Sequence, residues 1–467
     1  MKKTLLILVI CCISNLSNGQ TLLASFDLEL KKSSDHHQAL SFSNKETNEV
    51  YVVVSDKENV TAMHYNSAVF FKDSLKSLTP DKETPWLSGY SFNENNTPVV
   101  LWAAENYKKI RTCSFDFKTR KIAEKEYNFT FTAEMLLNVF SENNTFYILT
   151  KVEEKDQLKL YLFKNDSMSE RTIDLSEVKF YDDKNRPMAL GKLLEMYPLE
   201  RMETKALNPL FFATRKSKFY VFEKNIVFTF DHAVTQTQLV DISLDSFTVS
   251  SKSVDKPSLS ESAANSNSFL QDGHLFQIKS NPDELVVTVH DLISGAVLQS
   301  FQSKHDDITF RNSPLFAQTG NQRPKELKNT KKFLNRLDGS QTGISVYNQR
   351  GDYLVTIGGQ RNVATTGDVF LGVSVGVAGA VTGTGIELGE LFDSPSTQIV
   401  YFETHMDPNG NYLKKQQEAL ASDRISQFLY ENRSAVLSNS FPFMDYYILG
   451  YYDKKEEKYV LRKFEDF

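Results

Sequence analysis

The chain reads as an all-β protein assembled from repeated small antiparallel sheets, and three observations predict it. Short apolar runs with period-two alternation recur along its length, separated by turns rich in Asp, Asn, Lys and Gly. Aromatic residues make up 12% of the chain, dominated by 34 Phe and 20 Tyr, types that suit a pleated, half-buried surface. The runs also recur regularly. Tyr51, Val99, Tyr147, Tyr220, Phe276 and Leu354 mark six similar cores separated by 48, 48, 73, 56 and 78 residues. One four-stranded unit with its turns needs roughly 40–50 residues.

The N-terminus comes first. Residues 1–19 carry Lys2 and Lys3, an apolar stretch too short to span a bilayer, and Ser17 and Gly19 at the small-residue positions a signal peptidase requires. Cleavage is expected before Gln20, giving an exported chain: periplasmic, cell-surface or extracellular. Loss of Lys2 and Lys3 takes 53 basic residues to 51 against 59 acidic, a net charge of −8. That excludes a nucleic-acid partner, which needs a basic face. Cys11 and Cys12 leave with the leader, so Cys113 stays alone and no intramolecular disulfide can form. It sits in a strand pattern and is expected as a small buried apolar side chain. A lipobox is not formed, because Ile10 precedes Cys11.

The body, 20–467, is expected as a single domain. Residues 22–30 form a first strand. Paired strands follow at 49–55 and 60–65, at 145–152 and 157–163, at 218–222 and 226–230, and at 274–278 and 284–290. Residues 97–103 fit more loosely, 352–357 repeat the opening, and 446–452 with 458–464 form a C-terminal hairpin. Longer gaps coincide with insertions at about 176–206, 305–340 and 360–395. The first holds a helical pattern (Met188, Leu190, Leu193, Leu194, Met196) and the second another (Leu327, Phe333, Leu334, Leu337). An amphipathic helix is predicted over 412–430, from Leu413, Leu420, Ala421, Ile425, Phe428 and Leu429, packing on the outside of a sheet.

Six cores of this kind resemble a β-propeller of the sort found among secreted bacterial proteins, without a WD, kelch or Asp-box signature. The resemblance implies radial closure, with 22–30 as the outer strand of the last blade against the C-terminal hairpin. That hairpin either completes a sixth blade or belongs to a seventh. Two packed sandwiches would give a similar strand density.

Few segments carry a chemical signal. Residues 369–386 contain no charge and five glycines, and Val373, Val375 and Val377 alternate as a strand does. Val369, Phe370, Leu371, Val373, Val375, Val377, Val381 and Ile386 form the candidate interaction segment, because a large exposed apolar insertion marks contact with a partner or membrane. Arg350-Gly351-Asp352 spells an adhesion tripeptide but equally an ordinary hairpin turn. Asp407 to Asn411, with Glu418, resembles a calcium loop but has Tyr412 where Gly is required. Histidines occur as Asp35-His36-His37, Asp231-His232 and His305-Asp306-Asp307, in no metal-ligand spacing. Inner strands are read at 40–43, 87–92, 136–140 and 210–214. They are poor in acids, with Glu134 and Asp272 only at strand ends. Trp86, Trp102, Tyr446, Tyr447, Tyr451 and Tyr452 are assigned to packing between sheets. No catalytic set, cofactor or metal site is predicted. The expectation is an exported, non-catalytic binding or scaffold protein of the bacterial envelope, contacting an envelope protein or glycan. The alternative is a propeller hydrolase or lyase acting on polysaccharide or phosphate esters outside the cytoplasm.

Overall fold

The computed structural model describes residues 20–31, 36–80, 82–131, 133–260, 264–304, 306–319, 322–362 and 397–466. After the first strand, β1 (Gln20–Asp27), blade 1 holds β2 (Gln38–Ser43), β3 (Val50–Ser55), β4 (Asn59–Tyr65) and β5 (Phe71–Leu78). Blade 2 holds β6 (Trp86–Phe92), β7 (Pro98–Ala103), β8 (Lys109–Asp116) and β9 (Lys121–Asn128). Blade 3 holds β10 (Glu134–Glu142), β11 (Thr145–Val152), β12 (Gln157–Lys164) and β13 (Ser167–Asp174). A hairpin, β14 (Phe180–Tyr181) and β15 (Pro187–Met188), and helix α1 (Leu190–Met196) lead into blade 4. That blade has five strands: β16 (Leu199–Met202), then, beyond helix α2 (Leu210–Ala213), β17 (Ser217–Val221), β18 (Asn225–Phe230), β19 (Gln236–Ser243) and β20 (Val249–Asp255). Blade 5 holds β21 (Asn265–Gln271), β22 (His274–Ser280), β23 (Leu285–Asp291) and β24 (Val297–Ser303).

Blade 6 takes its outer strands, β25 (Phe316–Thr319) and β26 (Lys325–Glu326), from upstream of its inner one. Helix α3 (Thr330–Asp338) then precedes β27 (Gln341–Gln349), β28 (Asp352–Asn362), β29 (Thr397–Met406) and the short β30 (Tyr412–Leu413). Helix α4 (Ala421–Glu431) leads to blade 7, β31 (Ala435–Phe443), β32 (Tyr446–Asp453) and β33 (Lys458–Phe464). The chain is a β-propeller. β1 pairs antiparallel with β33 from Gln20↔Phe464 to Asp27↔Lys458, so the N-terminal strand completes the last blade.

Burial grades outward within a blade, as the sequence pattern implies. β3 (VYVVVS) is buried at every position because sheets cover both of its faces, while β9 (KIAEKEYN) is mostly exposed. An apolar cluster fills each space between neighbouring sheets. Leu40, Phe42, Tyr90 and Phe92 lie between blades 1 and 2. Phe140, Leu149, Phe219 and Phe228 lie between blades 3 and 4. Ile448 and Tyr452 meet Val52 and Met63 between blades 7 and 1.

Four sequence expectations change. The C-terminal hairpin is blade 7 and not a completion of blade 6, so the described residues form seven blade sheets. Tyr220 lies on the first antiparallel strand of its blade, whereas Tyr51, Val99, Tyr147, Phe276 and Leu354 lie on second strands. Residues 210–214 are helix α2 and its cap, not an inner strand. The late helix starts at Ala421 and not Tyr412. Tyr412 and Leu413 pair with His405 and Met406, and Asp423 accepts the Leu420 N–H at 3.0 Å, which places the helix start. α4 packs on the sheet of blade 7, with Ala421, Ile425 and Phe428 against Leu449, Tyr451 and Phe464. The helical patterns in the two insertions do form, as α1 and α3, and Cys113 is buried in β8.

Candidate functional site

The insertion before blade 4 does more than connect. β16 pairs parallel with β17, Leu199↔Ser217 to Met202↔Tyr220, on the axial side of that strand. A parallel partner cannot come from a tight turn, so residues 203–216 must carry the chain back to the start of β17. They do so inside the ring. The Gln271 amide donates to the Thr204 carbonyl at 3.3 Å, the Tyr447 hydroxyl to the Lys205 carbonyl at 3.2 Å, and the Ser345 hydroxyl to the Asn208 carbonyl at 2.6 Å. Blades 5, 7 and 6 thus hold the segment, and Arg201 binds Glu142 of blade 3 at 2.9 Å. Asn208 closes the loop: its side chain accepts from the Glu203 N–H at 2.8 Å and donates to the Glu203 carbonyl at 2.7 Å. At Gly343 a Cβ would stand 2.8 Å from Thr214 Cγ2 and 3.1 Å from Thr214 Cα, so glycine lets α2 lie directly on β27. Segment 199–216 is a plug along the propeller axis.

The plug brings the axial charges. Arg201, 9% exposed, lies between Glu142 (2.9 Å) and Glu203 (3.4 Å), with its guanidinium 5.0 Å from the Phe140 ring centre. Burial holds the Glu203 carboxyl above the usual range, against the pull of Arg201. Burial likewise lowers Lys45 of blade 1, against the pull of Glu142. Nearer the opposite end, burial pushes Glu200 up to about 7, with Arg215 Nε at 3.7 Å only partly offsetting it. The Glu200 side chain is 28% exposed, so water reaches it. A carboxyl of this kind can hold or release a proton near neutral pH. Among the described residues, no three His, Cys, Asp or Glu side chains are arranged to hold a metal ion, and no helix is long and apolar enough to cross a membrane.

Most residues singled out in the sequence take structural places. Arg350 and Gly351, both at positive φ, turn β27 into β28, and Asp352 pairs with Lys415 at 2.9 Å. Asp407 accepts from the backbone N–H groups of Asn409 and Asn411 at 2.9 and 2.8 Å, a closed turn and not an open ligand loop. His37 binds the Lys31 carbonyl at 2.6 Å, and His232 is buried against Tyr197. Glu134 accepts from Thr150, Lys159 and Tyr161. Trp102 is buried, but Trp86 is 51% exposed at the start of β6, which corrects its assignment to packing between sheets. Val369, Phe370, Leu371, Val373, Val375, Val377, Val381 and Ile386 lie outside the described residues, as do the leader and His305. Of the two strands bracketing that segment, β28 ends and β29 begins at the rim where the inner strands begin, since Gln360 pairs with Gln341 and Asn362 with Thr397. Glu200, Arg201 and Glu203 were missed by sequence reasoning. The stretch LERME (199–203) is charged and short, and nothing local reports its parallel pairing.

No protein family matches the sequence, and no curated protein does. Solved structures similar to the chain include the Dos1 propeller, at TM-score 0.30 and 9% identity over 96% of this chain and 87% of that one. A GH43 β-1,3-galactosidase with galactodeoxynojirimycin aligns at 0.25 and 9%, over 70% and 92%. An ACO/RPE65 chimera aligns at 0.27 and 9%, over 58% of this chain and 62% of that chain's length. Likeness at these scores bears on no activity.

Proposed function

We propose that the chain is an exported binding scaffold of the bacterial envelope, which meets its partner through one rim of the propeller. The observation that carries this reading is the plug. Residues 199–216 take hydrogen bonds from blades 5, 6 and 7 and pair with blade 3, which leaves the rims as contact surfaces. The rim where inner strands begin exposes Leu78, Trp86 and Val234, at 76%, 51% and 42%. β28 ends and β29 begins at the same rim, and the sequence between them includes the uncharged 369–386 stretch. An apolar surface of this kind favours a protein or membrane-proximal partner over a free polar solute.

Replacing 363–396 with a short turn tests the reading. Affinity-tagged wild type and the shortened chain would be recovered from an envelope fraction. Wild type is expected there with its leader removed before Gln20 and with a bound partner, while the shortened chain folds but recovers none. Equal recovery by both chains would sink the rim as contact surface. A second reading, hydrolysis at the axial end, is favoured only by Glu200, whose carboxyl titrates near 7 beside Arg215.

A further inference from the structure

Blades 4 and 5 meet over a polar cluster that no part of the binding reading uses. Lys218 on β17 is 0% exposed, as is Asn267 on β21, and Asp231 after β18 is 1% exposed. Lys218 Nζ stands 2.6 Å from Asn267 Oδ1, 3.0 Å from Asp231 Oδ2 and 2.7 Å from the Arg215 carbonyl. Since a C=O bond is about 1.2 Å long, Nζ lies within about 3.8 Å of the Asn267 carbonyl carbon, close to an attack distance. The carboxamide is held still. Its Nδ2 donates to the Thr214 and Thr342 carbonyls at 2.8 and 2.9 Å, and its oxygen accepts the Ser268 N–H at 2.8 Å. Asp231 is held as firmly by the hydroxyls of Thr237 and Ser268, at 2.7 and 2.8 Å.

We propose that Lys218 and Asn267 join in an intramolecular isopeptide bond, with Asp231 moving the proton. Asp231 takes a proton from the Lys218 ammonium across their hydrogen bond. The freed Nζ lone pair attacks Cγ of Asn267, and the Ser268 N–H stabilises the oxyanion that develops on Oδ1. The Cγ–Nδ2 bond then breaks. The nitrogen takes the proton held by Asp231 and leaves as ammonia, which takes one of the two protons left on Nζ and ends as ammonium, while the other stays as the N–H of the new amide. One ammonium and one carboxamide become a secondary amide and an ammonium ion, with no change in oxidation state and no outside reactant. Burial lowers the Lys218 ammonium pKa, against the pull of Asp231, which favours the attacking form. Burial alone would raise Asp231, but Lys218, Lys256 and Lys216 hold it well below the carboxylate range, so it is ionised. The same burial keeps water from the product. The bond would tie the first antiparallel strand of blade 4 to that of blade 5 in a mature chain whose Cys113 is free and buried.

Intact mass spectrometry of the purified, denatured full chain tests this. The expected mass is about 17 Da below that of the sequence counted from the determined N-terminus, the loss of ammonia. A tryptic digest should join residues 217–224 to residues 253–279, uncut after Lys218. Lys218→Arg should restore the full mass. Should that variant not fold, the branched peptide of wild type decides alone. Wild type at full mass overturns the proposal. So does a deficit of about 18 Da, the loss of water, mapped to Lys218 and Asp231.

Discussion

Glu200 shows how a single ionisable residue reports its surroundings. Burial raises its folded-state pKa from an ordinary 4.5 to about 7. A raised carboxyl binds an extra proton in the folded state across that window. The resulting stabilisation is complete below about pH 4.5 and lost as pH rises through 7. Glu200→Gln removes the titration, so its unfolding free energy should fall less between pH 4.5 and 8 than that of wild type. The difference should be on the order of 1–3 kcal/mol. Urea midpoints measured across that range would decide it, and parallel curves would contradict the burial. At this scale the sequence was partly legible. Cys113 reads as a buried apolar side chain and is one, its thiol pushed up to about 12 mainly by burial. The Arg350-Gly351-Asp352 tripeptide reads as a hairpin turn and is one. Lys218, Asp231 and Asn267 were illegible, because 13 to 49 residues separate the hydrogen-bonded groups and none forms a local motif.

Among the elements, the plug departs furthest from the repeat. Its loop depends on Asn208, 3% exposed, whose one side chain satisfies both backbone groups of Glu203. Asn208→Ala should leave that N–H and carbonyl buried without partners, at about 2–4 kcal/mol of stability. A thermal melt measures the loss, and an unchanged melt would mean that the loop does not depend on this side chain. Strands such as β3 and β11 were placed correctly because a short run of β-branched and aromatic residues between polar turns defines them locally. β16 was not, because its pairing is parallel and spans 18 positions, from Leu199 to Ser217. The predicted helix at 412–430 failed at its start for a related reason. Tyr412 has a β partner at Met406, and that tertiary hydrogen bonding outweighs helical periodicity.

Closure belongs to the whole molecule. β1 pairs with β33 at seven positions, and without it blade 7 would end in an open strand edge. Deleting residues 20–27 should abolish the cooperative melt and drive association through that edge, read by circular dichroism and size-exclusion chromatography. A monomer with an unchanged melt would contradict closure by this strand. The sequence by itself determined the all-β class, the repeated hairpins, the inserted helices and the partner of the first strand. Alternation, turn chemistry and aromatic content act over a few residues and survive without tertiary context. Only the tertiary structure decided the number of blades, the plug along the axis and the Lys218–Asp231–Asn267 cluster. Each rests on which sheet lies beside which, and that is set by apolar faces packing between blades and not by any local run of residues.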